Sequence, residues 1–445
     1  MSQANEGPGG AGRGMHDAVA RQEIKMKVQL RLMETLDLVQ AQKMPAQTLR
    51  EECLRRVDYL LTELRTPLTT SEKQQLLHEV MDEIFGLGPI EDLLRDPSVS
   101  DVLVNGPSRV YVERMGRLEL TDAHFRDDGH LLQVIQRIAS RVGRRIDESV
   151  PMLDARLADG SRVNAIIPPL ALQGPVMSVR RFAHIPIESE TLIQLGTWNE
   201  NMAKFMQAAV HCKLNILISG GTGTGKTTLL NVLSKWIPSG ERVVTIEDAA
   251  ELQLQREHVV MLETRPANIE GKGQITQRDL LRNSLRMRPD RIIIGEVRGA
   301  EAVDMLQAMN TGHDGSMTTV HANTVRDALR RVENMVSMAG MGIPVNVIRD
   351  QLAATIDIII QVGRLTGGRR KVLAITEVTS IEKETILMQN LFKFRQTGLD
   401  PEGHALGHFE TTGIRPQCLD RIEREGISLP VGMFLSQGAG EWRDR

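Results

Sequence analysis

The sequence predicts an α/β protein in which a mainly parallel sheet domain follows a smaller α+β domain and an N-terminal helical bundle. Three observations carry that expectation. Before about residue 86 the apolar residues recur with helical period. Between about 86 and 182, short strand-like segments are separated by Asn-Gly, Gly and Asp-Gly turns around a single helix. From about 190 onward helices and strands alternate, the pattern of βα units that build a parallel sheet. At 445 residues the chain has room for two or three such domains.

The elements follow in order. Residues 1–14 (MSQANEGPGGAGRG) are glycine-rich and polar and are expected to be disordered. Residues 15–85 form the helical domain. Its first helix, from Asp17 to Gln40, carries Met26, Leu30 and Met33 at i, i+4 and i+7. Two more follow, Ala46–Glu63 and Ser71–Phe85, the latter with Thr70 as its N-cap. Such a bundle is a docking module or a plain helical spacer. The α+β domain occupies 86–182. It contains strands at Asp101–Val104, Arg109–Glu113 and Leu118–Leu120, a helix at Leu131–Val142, then strands at Met152–Leu157 and Val163–Ile167. A linker at 183–190 leads to the parallel-sheet domain, 191–445. Internal repeats are absent.

Composition narrows the function. Apolar residues make up 41% and charged residues 25% of the chain, as in ordinary globular proteins. The net charge of −3 provides no global basic field for nucleic acid or anionic lipid, and aromatics at 3% are too few for base-stacking platforms. Three widely spaced cysteines, Cys53, Cys212 and Cys418, suit neither a disulfide framework nor a zinc site. No apolar run approaches the length of a membrane span, and the N-terminus lacks the apolar core of a signal peptide. The expectation is a cytoplasmic protein whose membrane contacts run through partners.

The segment Gly220-Gly221-Thr222-Gly223-Thr224-Gly225-Lys226-Thr227 has the form G-x-x-x-x-G-K-[ST]. An apolar strand, Leu214–Ser219, precedes it, and a helix opening at Thr228-Leu229-Leu230 follows. Strand, glycine-rich loop and helix together form a cradle. The glycines let successive N–H groups converge on phosphate oxygens at a helix N-terminus whose dipole favours an anion. Lys226 is placed for the β- and γ-phosphates of a nucleoside triphosphate such as ATP, and the Thr227 hydroxyl for Mg²⁺.

Hydrolysis also needs an acid. The apolar strand Arg291–Ile294 ends in Gly295-Glu296, with glycine where a metal-contacting Asp usually stands. Glu296 is the candidate to activate water and to hold Mg²⁺ directly or through water. A second strand, Arg242–Ile246, ends in Glu247-Asp248, with Glu251 a turn later. These acids either position metal and water or cap a helix start, and Glu247 is the preferred candidate. Two histidines flank a strand at Ser316–Val320. His321 is favoured as a γ-phosphate sensor, and His313 more weakly. Arg278, Arg282 and Arg286 line one helix face at i, i+4 and i+8, either as a solvated stripe or as arginines offered to nucleotide in a neighbouring subunit.

Taken together these motifs resemble the type II/type IV secretion ATPases. The match runs through GGTGTGKTT (220–228), TIEDAAEL (245–252) and RMRPDRIIIGEVRGAEAVDMLQAMNTGHDGSMTTVHAN (286–323). In that family's terms these are the Walker A loop, the Asp box, an atypical Walker B strand and the His box. Gly295 belongs to the family's own pattern. GLGPIEDLL (86–94), SDVLVNGPSRVYVERMGRLELT (100–121) and GRRIDESVPMLDARLADGSRVNAIIPPLALQGPVMSVRRF (143–182) bring it close to the Flp/Tad pilus-assembly branch, the CpaF-like ATPases.

The resemblance implies a RecA-like P-loop motor domain behind an N-terminal domain that clamps nucleotide. It implies a homo-hexamer at the cytoplasmic face of a bacterial inner membrane, acting on polytopic pilus-platform proteins. By carry-over, residues Gly220 to Thr228 bind ATP, Lys226 and Thr227 hold phosphate and Mg²⁺, and Glu296 is catalytic. Glu247 and His321 attend the γ-phosphate, and Arg162 and Arg180 stabilise charge as the domains close. The motor would drive pilus assembly or retraction. The competing expectations are a conjugation or effector-secretion ATPase, a nucleic-acid motor with the same core, and a scaffold that binds ATP without turning it over.

Overall fold

The structure, a computed structural model, describes residues 10–36, 44–66, 68–114, 116–181, 187–267 and 272–435. The chain divides into two compact units, with the division between Phe182 and Ala183.

The first unit opens with three helices, α1 (Gly10–Thr35), α2 (Ala46–Glu63) and α3 (Thr70–Phe85). Helix α1 begins inside the segment expected to be disordered; residues 1–9 of that segment lie outside the described residues. The stripe read from the sequence is not the packing face. Met26, Leu30 and Met33 are exposed, while Val28 and Leu32 are fully buried against Cys53, Val57, Leu61 and Val80. Helix α3 is capped one residue earlier than expected. Thr69 accepts the N–H of Glu72, and the Glu72 carboxylate accepts the N–H of Thr69 in a capping box.

The short helix α4 (Glu91–Arg95) leads into an antiparallel sheet built from β1 (Val99–Asn105), β2 (Val110–Arg114), β3 (Arg117–Leu120), β4 (Met152–Arg156), β5 (Arg162–Ile166) and β6 (Val176–Arg180). The strand order is β3-β2-β1-β6-β5-β4. Helix α5 (Asp128–Arg141) packs Leu131, Val134, Ile135 and Ile138 on one face of the sheet, against Val102, Val104, Val163 and Val179. The helices and this sheet are joined by buried polar contacts. His130 Nε2 lies 3.0 Å from Glu83 Oε2, and Arg137 donates to the Glu83 carbonyl.

In the second unit α6 (Ser189–Gln194) and α7 (Glu200–His211) precede β7 (Ile216–Gly220) and α8 (Lys226–Ser234). Then come β8 (Val243–Glu247), β9 (Val259–Glu263), α9 (Gln277–Ser284), β10 (Arg291–Ile294), α10 (Glu301–Asn310), β11 (Met317–Val320), α11 (Val325–Met338) and α12 (Val345–Thr355). The chain continues through β12 (Ile358–Arg364), β13 (Arg370–Glu382), β14 (Thr385–Leu399), β15 (Ala405–Thr411) and α13 (Leu419–Arg424). The nine-stranded sheet has the order β15-β14-β13-β12-β7-β11-β10-β8-β9. From β12 to β9 every pairing is parallel, and β13 to β15 extend the sheet antiparallel. Strands β7, β8, β10 and β11 are buried along their whole length, as expected of a parallel sheet covered on both faces. This is the RecA-like arrangement, with the phosphate-loop strand β7 central among the parallel strands.

One polar residue aligns the start of three strands. Asn215, 4% exposed, accepts the N–H groups of Gly315 and Ser316 at 2.9 and 3.1 Å and donates to the Thr355 carbonyl at 2.9 Å. Its own carbonyl accepts from Asp357 and Ile358. A buried side chain serving several backbone groups leaves them unmatched when it is removed. Asn215→Ala is therefore expected to lower the unfolding free energy by about 2–4 kcal/mol in denaturant titration, although it deletes no apolar contact.

Candidate functional site

Strand β7 ends at Gly220, and the chain turns through Gly223 (φ +69°) and Gly225 (φ +94°) before α8 begins at Lys226. Both glycines occupy the left-handed region that other residues rarely adopt, so the loop conformation demands them. A Cβ on Gly220 would come within 2.7 Å of Thr224 Oγ1 and Val362. Thr224 Oγ1 donates to the Gly221 carbonyl at 2.9 Å, and Arg370 Nε donates to the Gly223 carbonyl at 2.9 Å.

Lys226 is buried, 7% exposed, and folds back on its own loop, donating to the carbonyls of Gly220 (3.1 Å) and Gly221 (2.9 Å). Burial pushes its pKa below the usual lysine value, and the nearby Glu296 carboxylate opposes that shift. Its Nζ also lies 3.3 Å from His321 Nδ1. Thr222 and Gly223 are exposed, while Thr227 and Thr228 are half-buried at the start of α8.

The parallel register brings the other residues to this edge. Val320 pairs with Ser219, so His321 emerges beside the phosphate loop. Ile294 pairs with Ile246, so Gly295-Glu296 and Glu247-Asp248 leave the sheet side by side. His321 Nε2 lies 3.1 Å from Glu296 Oε1. Burial, and then the Lys226 charge, lower the His321 pKa from its ordinary value. Lys226, His321 and Glu296 thus form one chain of contacts. For Mg²⁺, the Thr227 hydroxyl and the Glu296 carboxylate offer the hard oxygen donors that this ion accepts while keeping several waters.

Glu247 sits at the same edge with a different partner set. It is 3% exposed, and its carboxylate accepts the N–H groups of Glu251 (2.9 Å) and Leu252 (3.1 Å), so it organises the loop at 248–252. It also accounts for Gly295, because a Cβ there would stand 2.9 Å from Glu247 Cγ. His313 is a correction to the sequence expectation. It lies at the amino end of β11, opposite the phosphate loop, with Nδ1 3.3 Å from the Ala308 carbonyl. Arg278 and Arg282 both pair with buried Asp304 of α10, at 2.6 and 2.9 Å, while Arg282 and Arg286 keep the exposure of a solvated face.

In the first unit, Arg162 and Arg180 are register neighbours on β5 and β6. Arg162 donates to Asp154 at 2.7 Å and Arg180 to Asp101 at 3.1 Å. Asp248, one of the three acids read at the end of β8, stands at the phosphate-loop edge, and two arginines that the sequence did not point to, Arg298 and Arg370, join it there. Arg298 donates to Glu296 at 3.0 Å and comes within 3.7 Å of Asp248. Its position two residues past Glu296 was a usable signal. Nothing local ties Arg370 to a loop 147 residues earlier.

A model of the type II/IV secretion system protein family matches residues 83–391. The chain belongs to the type II/IV secretion system protein family. A Mycobacterium tuberculosis (strain H37Rv) protein named for conjugal transfer is 38% identical over 312 residues, covering 69% of this chain and 88% of that protein. The type IV secretion system protein VirB11 of Bartonella quintana is 30% identical over 360 residues, covering 72% of this chain and 99% of its own. Among solved structures, the VirB11 ATPase from the Brucella suis type IV secretion system, in complex with sulphate, is 29% identical. It covers 66% of this chain and 97% of its own, with a TM-score of 0.36. The family match in this secretion-family chain spans the phosphate loop, Glu247, Glu296 and His321.

Two outcomes follow from the packing and charge of this edge. Gly295→Ala forces Glu247 to shift and should destabilise the protein by about 1–3 kcal/mol, read from the thermal unfolding midpoint. His321, with a folded pKa below its ordinary value of 6.5, binds fewer protons folded than unfolded. Stability should therefore fall as the pH drops below about 6.5, and His321→Gln should flatten that part of the midpoint-versus-pH curve.

Proposed function

We propose that this chain is a MgATP-hydrolysing motor of type II/IV secretion that works as a homo-hexamer. The observation that carries the reading is the convergence of Lys226, His321 and Glu296 beside a glycine-rich loop at the carboxyl edge of a parallel sheet. Lys226 now satisfies its charge with the Gly220 and Gly221 carbonyls, and the β- and γ-phosphate oxygens of ATP would take their place. The backbone N–H groups of Gly221 to Thr228 cradle the phosphates at the start of α8.

Thr227 and Glu296 would hold Mg²⁺, which supplies neutralisation of phosphate charge when bound. Glu296 accepts the proton of the attacking water. His321, in contact with both Lys226 and Glu296, links γ-phosphate occupancy to the acid. Glu247 contributes by holding the adjacent loop, and Arg162 and Arg180 remain in the reading as arginines that stabilise nucleotide charge.

Two cargoes divide the support. The segments at 86–94, 100–121 and 143–182 favour Flp/Tad pilus assembly or retraction through polytopic inner-membrane platform proteins. The relatives named for conjugal transfer and for VirB11 favour conjugation or effector secretion. Either way the motor acts at the cytoplasmic face of the inner membrane through partners. Among the described residues no helix is long and apolar enough to cross a membrane.

Steady-state ATP hydrolysis, measured with light-scattering mass, tests the reading. A hexamer-sized species that turns over ATP without stimulation by DNA supports it; a DNA-stimulated, salt-sensitive rate points to a nucleic-acid motor instead. Lys226→Ala should lose nucleotide binding. Glu296→Gln should keep binding and lose turnover by about 10²-fold or more. Brisk hydrolysis by Glu296→Gln would remove Glu296 from its role.

A further inference from the structure

Arg298 has no part in the reading above, yet its surroundings set it apart from a surface arginine. It lies two residues past Glu296, on the turn into α10. Its backbone is fixed, because the N–H groups of Arg298 and Gly299 both donate to Glu301 Oε1, at 2.6 and 2.7 Å. Val297, between the two charged residues, is fully buried, and its N–H donates to the Thr319 carbonyl of β11. Val297 is held in the core, while the side chains of Glu296 and Arg298 on either side of it contact each other.

The guanidinium donates through Nη2 to Glu296 Oε2 at 3.0 Å, and Nη1 stands 3.7 Å from Asp248 Oδ2. The other Glu296 oxygen faces His321 Nε2 at 3.1 Å. Each oxygen of the water-activating carboxylate is therefore addressed by a different nitrogen. Arg298 in turn is drawn toward a second acid that leaves the sheet from the adjacent strand β8. An exposed ion pair contributes little to stability, and the Arg298 side chain is 53% exposed. The Glu296 side chain it holds is only 17% exposed, and a bond that fixes the direction of a reacting carboxylate matters through orientation. Two lone pairs on each oxygen leave room for water beside these partners.

We propose that Arg298 is a positioning residue for hydrolysis: it aims the Glu296 carboxylate at the attacking water, and Asp248 holds the guanidinium in place. This rests on the reading of Glu296 as the water-activating acid. Arg298 acts through Glu296 and makes no contact of its own with phosphate.

The test compares the full-length wild type with Arg298→Ala, Arg298→Lys, Asp248→Asn and Lys226→Ala. Three quantities are read: kcat for ATP, the Kd of a fluorescent non-hydrolysable ATP analogue, and the thermal midpoint. Arg298→Ala should lower kcat by about tenfold or more, while the analogue Kd stays within about threefold and the midpoint holds. Arg298→Lys, which restores the cation, should regain much of kcat, and Asp248→Asn should fall between. A Kd that weakens about tenfold in step with the lost rate, as for Lys226→Ala, would make Arg298 a phosphate ligand and overturn the proposal. An Arg298→Ala enzyme as fast as an active wild type would overturn it too, leaving the hydrolytic reading intact. A wild type without turnover would sink that reading and this proposal together.

Discussion

Parallel pairing is the constraint on which this site depends. Strands β7, β11, β10 and β8 run in one direction, and their register places Ser219 beside Val320 and Ile246 beside Ile294. Whatever follows each strand must leave at the same edge. The phosphate loop, His321, Glu296 and Asp248 come from segments up to about a hundred residues apart, yet they need no separate device to meet. The alignment is set at the other end of the sheet. Asn215 ties the starts of β7, β11 and β12 through its backbone partners, so a polar residue at the far end of the sheet from the phosphate loop aligns the strands that end at that loop's edge.

Electrostatics at the edge follow from burial. Lys226 is a desolvated cation whose direct partners are two carbonyls and a histidine ring, with no carboxylate in hydrogen-bonding contact among the described partners. Carbonyl dipoles offset only part of the cost of burying that charge, which is why its pKa is pulled downward. Phosphate oxygens are far stronger acceptors for an ammonium, so the loop is poised toward an anion. Burial first, and then the same lysine, depress the pKa of His321, whose ring lies between the cation and Glu296. Lys226 and Glu296 are thus linked through the His321 ring by contacts of about 3 Å.

What was legible in the sequence was contiguous. The phosphate loop carries its strand, turn and helix within one segment, and Glu296 ends a four-residue apolar strand, so both are read locally. Helical period found α1 but not its packing face: Met26, Leu30 and Met33 fit the spacing as well as Val28 and Leu32 do, and only the neighbouring helices decide between them. Pairings across the fold were closed to local reading. The pairing of Arg278 and Arg282 with Asp304 of the next helix carries no local signal. His313 and His321 flank one strand, and the direction of that strand in the sheet puts only His321 at the phosphate-loop edge.

The displaced acid has a physical origin in the same edge. At position 295 the backbone passes so close to Glu247 that a Cβ would stand 2.9 Å from Glu247 Cγ. An aspartate there would have to compete for space with a buried carboxylate already committed to the Glu251 and Leu252 N–H groups. Moving the acid one residue on, to Glu296, takes it out of the β-ladder and onto a turn, where its longer side chain reaches back toward Lys226 and His321. A turn residue lacks the fixed direction that a strand gives its side chains, and orientation must then come from partners. His321 on one oxygen and Arg298 on the other supply it. The glycine at 295 thus answers to the bulk of Glu247 beneath it, and the acid displaced to Glu296 is the one that His321 and Arg298 contact.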